Sequence, residues 1–141
     1  MKNKPLKIIL TVLGVIVIAF TMVWLETLHR AKEAFYEGEK EYKGKNYAMA
    51  VVWYGSTIRF YTPGSKWVKK AKERIFEIGQ MYEKDGQFKE AKDTYGEIVH
   101  GIYAIRSFYT PHEDWQKQAM EKVELCEKKI SHRDTEDTER K

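Results

Sequence analysis

Residues 79–95 read GQMYEKDGQFKEAKDTY, and this stretch decides the fold. A break at Asp85-Gly86 divides it into two segments, each with apolar or aromatic side chains three or four positions apart. Such spacing places those side chains on one face of an α-helix, and a glycine at the break lets the backbone turn. The stretch therefore predicts two consecutive helices joined by a short turn.

The same pattern occurs 41 residues earlier in the chain. In the later copy its positions are Gly79, Tyr82, Gly86, Phe88, Ala91 and Tyr95, and in the earlier copy four of them are Gly38, Tyr47, Ala50 and Tyr54. The earlier copy has Glu41 at the position of Tyr82 and Lys45 at the position of Gly86. The pattern resembles the tetratricopeptide repeat. The resemblance covers about residues 31–106 and implies a short solenoid of helical hairpins.

Further breaks at residues 44–46, 62–64 and 110–111 separate segments of helical period, and no segment alternates like a strand. We therefore expect an all-α body over residues 26–130, with about two and a half repeats. The half repeat is a capping helix over about 111–130, with Thr110 as its cap and Pro111 as its first residue. Residues 131–141 contain no apolar side chain, which predicts a charged, frayed tail.

A second similarity lies in the segments that follow the two helical pairs. Residues 58–63 read IRFYTP, and residues 105–111 read IRSFYTP. A tryptophan, Trp67 or Trp115, stands four residues after each proline. The tetratricopeptide pattern does not account for this repetition.

An uncharged run precedes the body: residues 8–25 read IILTVLGVIVIAFTMVWL. As a helix these residues would span about 27 Å, enough to cross the hydrocarbon core of a bilayer. A cleaved signal peptide is the alternative, but the apolar run continues past the point where such a signal normally stops. Neither proline nor glycine follows until Gly38, so we expect the transmembrane helix to continue unbroken to about Lys43.

The charges are unevenly distributed along the chain. Residues 1–7 carry three lysines, whereas residues 26–130 carry 19 basic and 17 acidic side chains. The basic N-terminus predicts that it stays in the cytoplasm and that the body lies outside, in the periplasm if the source is a Gram-negative bacterium. A nearly neutral body argues against nucleic acid as a partner, because nucleic-acid binders concentrate positive charge on the folded part.

The sequence carries few signs of catalytic chemistry. The single cysteine, Cys126, excludes an internal disulfide. None of the four histidines has a partner at the spacing of a zinc protease, and neither a phosphate-binding loop nor a nucleophile elbow occurs. We therefore expect a protein that is not an enzyme and has neither a cofactor nor a metal site.

The resemblance implies a partner-binding face on the first helix of each repeat. The positions that it assigns to this groove are Phe35, Glu39, Tyr42, Phe76, Gln80 and Glu83, with Lys32, Tyr36, Glu73 and Glu77 beside them. Aromatic side chains rimmed by glutamates would suit an apolar or basic helix from a partner. The alternative is that these aromatic side chains belong to the core.

Four lysines stand near the start of the third predicted helix: Lys66, Lys69, Lys70 and Lys72. Positive charge at a helix N-terminus opposes the helix dipole. An anionic lipid surface or an acidic partner would offset that cost, whereas an ordinary solvated face is the alternative.

These observations predict a membrane-anchored, non-catalytic adaptor or scaffold that holds another protein. Two and a half repeats are fewer than such stacks normally need, so a second copy, the membrane or a partner could complete the stack. One alternative is an accessory subunit whose transmembrane helix packs inside a larger membrane complex. Another is a small membrane-bound hydrolase.

Overall fold

The structure is a computed structural model and describes residues 4–107 and 109–139. The described residues form five helices and no strand: α1 Lys4–Lys43, α2 Tyr47–Arg59, α3 Lys66–Lys84, α4 Phe88–Ile105 and α5 Glu113–Glu139. The prediction of an all-α chain is confirmed.

Helix α1 is a single unbroken helix of 40 residues that ends at Lys43, as the sequence predicted. Within the described part of the chain it is the one helix long and apolar enough to cross a membrane, and its apolar half is not buried by the rest of the protein. Its other half packs against α2 and α3. The apolar segment is therefore a direct extension of a helix of the body.

Consecutive helices form antiparallel hairpins with close contacts at two glycines. A β-carbon at Gly38 would lie 2.6 Å from the ring of Tyr54, and one at Gly79 would lie 2.5 Å from the ring of Tyr95. Each aromatic ring therefore packs directly on the backbone of the neighbouring helix, at a position that has no side chain. The two contacts are 41 residues apart, which is the spacing of the sequence pattern.

The hydrophobic core lies between α2, α3 and α4, and α1 and α5 cover its two ends. Its buried members are Phe35, Ala50, Val51, Tyr54, Ile58, Val68, Ala71, Ile75, Ile78, Ile98, Ile102 and Ala119. A smaller cluster joins Ala91 and Tyr95 to Cys126 of α5. Cys126 is thus a buried packing residue, as the sequence indicated.

Helices α1 and α3 end in the same type of turn, at Lys45 and at Gly86. Both residues have positive φ, 60° and 72°. At both turns the following amide donates to a carbonyl five residues back, from Asn46 to Glu41 and from Gln87 to Tyr82. These bonds form the Schellman motif, in which a left-handed residue closes a helix. Lys45 therefore occupies the conformation that Gly86 occupies 41 residues later.

The predicted start of the last helix is wrong by two residues. Helix α5 begins at Glu113 rather than at Pro111. His112 has a φ of 56°, accepts the first backbone hydrogen bond from Trp115 and stacks on the Trp115 ring at 3.7 Å. This stacking and the contact of His112 with Tyr61 hold the residue outside the helix, so Thr110 does not act as the cap.

The predicted frayed tail also needs correction, because α5 continues through Glu139. Neither glycine nor proline interrupts residues 113–139, so helix propensity carries the backbone on after the apolar positions end. The missing apolar side chains do not determine the backbone of this part, and within it Arg133 lies 4.9 Å from the Phe88 ring. Residues 140 and 141 lie outside the described part.

Candidate binding surfaces

A polar network centred on Arg74 links α1 to α3. The Arg74 guanidinium donates to Glu39 at 2.7 and 3.1 Å and to Glu77 at 2.8 Å. The hydroxyl of Tyr54 donates to Glu39 at 2.8 Å, and that of Tyr42 donates to Glu77 at 2.8 Å. One arginine therefore neutralises two carboxylates, and each carboxylate also receives a tyrosine hydrogen bond.

The network alters the ionisation of its members. Burial alone would raise the pKa of Glu39, but the hydrogen bonds from Arg74 and Tyr54 outweigh burial and lower it. The hydrogen bond from Arg74 is the largest cause that lowers the pKa of Glu77, followed by the bond from Tyr42. Both glutamates are consequently ionised at neutral pH and committed to partners within the protein.

A second network joins α3 to α4 and α5 through Glu83. The Tyr95 hydroxyl donates to Glu83 at 2.6 Å, and the Lys122 ammonium donates to the same oxygen at 2.9 Å. Lys129 lies 3.9 Å from the other oxygen. Burial would raise the pKa of Glu83, yet these bonds together lower it. The lysines of α5 thus form ion pairs with Glu83, a residue that the sequence analysis assigned to the partner-binding groove.

The face of α1 and α3 brings several predicted groove residues together, but few of them are free. Phe35 is only 6% exposed and packs against Tyr54 and Trp67, as the core alternative predicted. Phe76 is half-buried and packs against Tyr95. Gln80 is exposed.

A shallow cavity of about 300 Å³ remains on this face. It is lined by Phe35, Glu39, Lys70, Glu73, Arg74 and Glu77. The sequence reasoning did not anticipate the network that crosses this cavity. The signal for it was Arg74 followed by Glu77 one turn later on the same helix face.

The sequence predicted a groove with an apolar floor and an acidic rim on the first helix of each repeat. The structure has such a groove at a different place. It lies between α2 and α4, encloses about 260 Å³ and is lined by Ala48, Val51, Val52, Tyr82, Glu90, Asp93, Thr94 and Glu97. Glu97 is paired with Arg59 at 2.8 Å. Glu90 and Asp93 are exposed, and neither forms a salt bridge with any residue that the structure describes.

Sequence reasoning missed this groove, which we call the α2–α4 groove. The resemblance directed attention to the first helix of each hairpin, whereas this surface uses the second helices. The available signal was Val51-Val52 on α2 together with Glu90, Asp93 and Glu97 at helical spacing on α4.

The four predicted lysines lie on two faces of α3. Lys66 and Lys70 flank the Trp67 ring at 4.8 and 5.4 Å, and Lys69 is exposed beside them. Lys72 lies on the other side of the helix, 4.8 Å from the Phe76 ring and 5.4 Å from the Trp115 ring. Three of the four therefore form one basic surface, and Lys72 belongs to the contact with α5.

Comparison with known proteins provides no identification: no family model, curated protein or solved structure matches this chain. The class of the protein must therefore be inferred from its residues and their packing.

Proposed function

We propose that this chain is a single-pass membrane adaptor of the tetratricopeptide type. Helix α1 anchors it, with the N-terminus in the cytoplasm and the body outside. The body holds another protein and catalyses no reaction. A fold alone does not define a function, so the proposal depends on the surface that the body offers.

Two repeated features support the tetratricopeptide type. Gly38 and Gly79 each accept a tyrosine ring from the second helix of their hairpin. Lys45 and Gly86 each close the first helix in a left-handed conformation. Both features recur at the spacing of 41 residues, so the two hairpins share a conformational frame as well as a sequence pattern.

The observation that carries the proposed binding function is the α2–α4 groove. Its floor includes Val51 and Val52, and Val52 is 47% exposed. Its rim carries Glu90 and Asp93. An amphipathic segment with apolar anchors and a basic side chain would match this surface in shape and charge.

The α1–α3 face supports such a partner less well. Its carboxylates Glu39 and Glu77 already bind Arg74, and Glu83 binds Lys122. At these three carboxylates a basic partner would have to displace cations that the protein itself provides, and only Glu73 among the acids lining the cavity of this face has no such cation.

Site-specific photo-cross-linking in intact cells tests the proposal on the full chain. A photoreactive residue at Val52 should form an adduct with a partner, and a matched one at Leu125 should not. Leu125 is 50% exposed, similar to Val52, but lies on α5 away from the groove. Asp93→Lys should abolish the Val52 adduct because it reverses a rim charge.

Other outcomes would redirect the assignment. An adduct at Leu125 that matches the Val52 adduct and survives Asp93→Lys would contradict the groove. An adduct of the chain with itself would identify the partner as a second copy.

The accessory-subunit alternative is favoured by a separate observation, the complete exposure of the apolar half of α1. Exchanging residues 8–25 for an unrelated transmembrane segment distinguishes the two functions. An adaptor keeps its Val52 adduct after the exchange, whereas a subunit held by its transmembrane helix loses its complex.

A further inference from the structure

We infer that the helical body rests with one end against the headgroup layer of the bilayer that holds α1. This end, here called the loop end, comprises the α2–α3 loop at residues 60–65, the described residues 106–107 and 109–112 before α5, and the first turn of α3. The inference rests on the proposed role of α1 as membrane anchor and adds a second, peripheral contact with lipid.

The directions of the helices place the loop end on the membrane side. Along α1 and α3, Phe35 contacts Trp67, and later in both helices Glu39 contacts Arg74. Helix α3 therefore runs in the same direction as α1. On α3 and α5, Lys72 contacts Trp115, and later Glu83 contacts Lys122. The N-termini of α3 and α5, and the loops before them, consequently point back toward the apolar half of α1.

The continuous helix also fixes the height of this end above the membrane. Arg30 lies five residues beyond Leu25, which is about 7.5 Å along a helix. Phe60 of the α2–α3 loop lines an open cavity of about 620 Å³ together with Glu26 and Arg30. The headgroup layer extends about 5–8 Å beyond the hydrocarbon core. The part of this cavity at Glu26 and Arg30 therefore lies at the level of the lipid headgroups. The first turn of α3 stands higher, because Trp67 contacts Phe35, about 15 Å along the helix beyond Leu25, so its lysines act on lipid phosphate across about a Debye length.

Aromatic side chains are concentrated at this end. Tyr109 is 63% exposed in the loop before α5, and Tyr36 and Tyr103 are also exposed close to the loops. Tyr61 contacts His112 at 5.5 Å and so joins the two loops into one surface. Tyrosine rings are enriched at the interface between membrane and water, because they have an apolar body and a polar tip. A membrane contact accounts for the Tyr-Thr-Pro sequence that both loops share.

The charge of the loop end is complementary to lipid phosphate. Lys66, Lys69, Lys70 and Arg106 are exposed, and none forms a salt bridge with the described residues. Nearby acids are mostly paired: Glu26 with Arg30 at 2.9 Å, Glu97 with Arg59 at 2.8 Å and Glu113 with Lys117 at 3.2 Å. Glu33, which faces only His29, and Glu73 and Asp114 have no lysine or arginine partner among the described residues. The four free cations outnumber these three acids, and anionic lipid attracts such groups.

Fluorescent labels on the full chain, reconstituted in vesicles, test the inference. In a Cys126→Ala background, Ser107→Cys places a label at the loop end, and Asp85→Cys places a matched label at the opposite end. The vesicles contain phosphatidylcholine alone or with about one third phosphatidylglycerol. A quencher attached to lipid headgroups should quench the Ser107→Cys label several-fold more than the Asp85→Cys label.

The contribution of charge is tested with two triple variants. Lys66→Gln, Lys69→Gln and Lys70→Gln together should remove the extra quenching that phosphatidylglycerol causes. Lys43→Gln, Lys45→Gln and Lys84→Gln remove equal charge at the far end and should leave the quenching unchanged. Equal effects of the two triple variants would contradict lipid recognition by the loop end.

A third label separates the failure of this inference from failure of the anchor. Val15→Cys lies inside the apolar run, and its label should be quenched by a quencher on the acyl chains. If it is quenched while the Ser107→Cys label stays in water, the anchor stands and the loop-end inference is wrong. That result would instead favour an acidic protein as the partner of Lys66, Lys69 and Lys70. If the Val15→Cys label is also in water, both the anchor and the inference are wrong.

Discussion

Gly38 and Gly79 determine how closely the helices of each hairpin approach. The rings of Tyr54 and Tyr95 occupy the space that a β-carbon would need, and their hydroxyls continue to Glu39 and Glu83. A packing contact therefore leads directly to a polar network on the face of the first helices. A change at one of these glycines should disturb both.

Gly79→Ala should lower the free energy of unfolding by about 1–3 kcal/mol. The added methyl would meet Tyr95, which is buried and has no room to move, and overpacking of this kind has that typical cost. Urea unfolding of the full chain in mild detergent, followed by circular dichroism, measures the change.

Gly96→Ala is the matched control because nothing lies within 4 Å of its would-be β-carbon. In the interior of α4 it should raise stability by about 0.5–1 kcal/mol through helix propensity. Equal gains from both variants would show that Tyr95 does not pack on Gly79 in solution.

The Arg74 network predicts an acid-sensitive part of the stability. Glu39 and Glu77 have pKa values below their ordinary 4.5, so their contribution is complete above that pH. It is lost as pH falls through the lowered values, because protonation removes the attraction to Arg74. Stability should therefore decline below about pH 4.5 more steeply than ordinary glutamates would cause.

Arg74→Met tests whether the acid-sensitive part of the stability comes from this network. At pH 7 it should cost about 1–3 kcal/mol by leaving two carboxylates without their donor, and the difference from the parent chain should shrink toward pH 3. Lys40→Met removes only an exposed pair with Glu37 and should change stability by less than about 0.5 kcal/mol. A difference for Arg74→Met that is constant with pH would point to packing rather than charge.

At the scale of elements, the turns after α1 and α3 share the same backbone conformation but have different residues at the left-handed position. Gly86 adopts its positive φ without steric cost, whereas the β-carbon of Lys45 raises the conformational energy of that residue in the same region. The departure from the repeat pattern at residue 45 therefore changed the stability of the turn and left its geometry intact.

Lys45→Gly should accordingly raise the free energy of unfolding by about 1–2 kcal/mol. Gly86→Ala should lower it by a similar amount, because it introduces the same strain at the equivalent turn. Thermal unfolding of the two variants beside the parent chain checks both signs. A loss on Lys45→Gly would mean that the lysine side chain supports the turn in a way that these contacts do not explain.

At the scale of the whole molecule, α1 joins an exposed apolar segment to a packed body. No residue of the apolar half is held by the body, while Glu39 and Tyr42 are tied to α3. Changes in the two halves should therefore have separable effects, on membrane insertion in one case and on unfolding in the other.

Ile16→Arg tests that separation. A charge in the middle of the apolar run should disfavour insertion by about 2.5–3.5 kcal/mol and move the chain out of the membrane fraction after alkaline extraction. Met120→Arg, at an exposed position of α5, should leave the chain in the membrane fraction. If Ile16→Arg is extracted no more readily than the parent chain, residues 8–25 do not serve as the anchor.

The sequence by itself determined the helices and the unbroken α1, because hydrophobic period, glycine breaks and an uncharged run are local properties of the chain. It also indicated the burial of Cys126 and offered the core alternative for Phe35. The ends of α5 were missed, since the stacking of His112 on Trp115 involves the tertiary contact with Tyr61, and a tail without apolar residues can still be helical.

Only the tertiary structure decided which charged groups are free. Glu39 and Glu83 bind cations of other helices and Glu77 binds Arg74 of its own helix, whereas Glu90 and Asp93 border an apolar groove and form no salt bridge with the residues that the structure describes. The pairs of Glu39 with Arg74 and of Glu83 with Lys122 join residues 35 and 39 apart in the chain, so they depend on how the helices pack. Local pattern specifies where a helix forms, and packing specifies which of its charges find a partner on another helix.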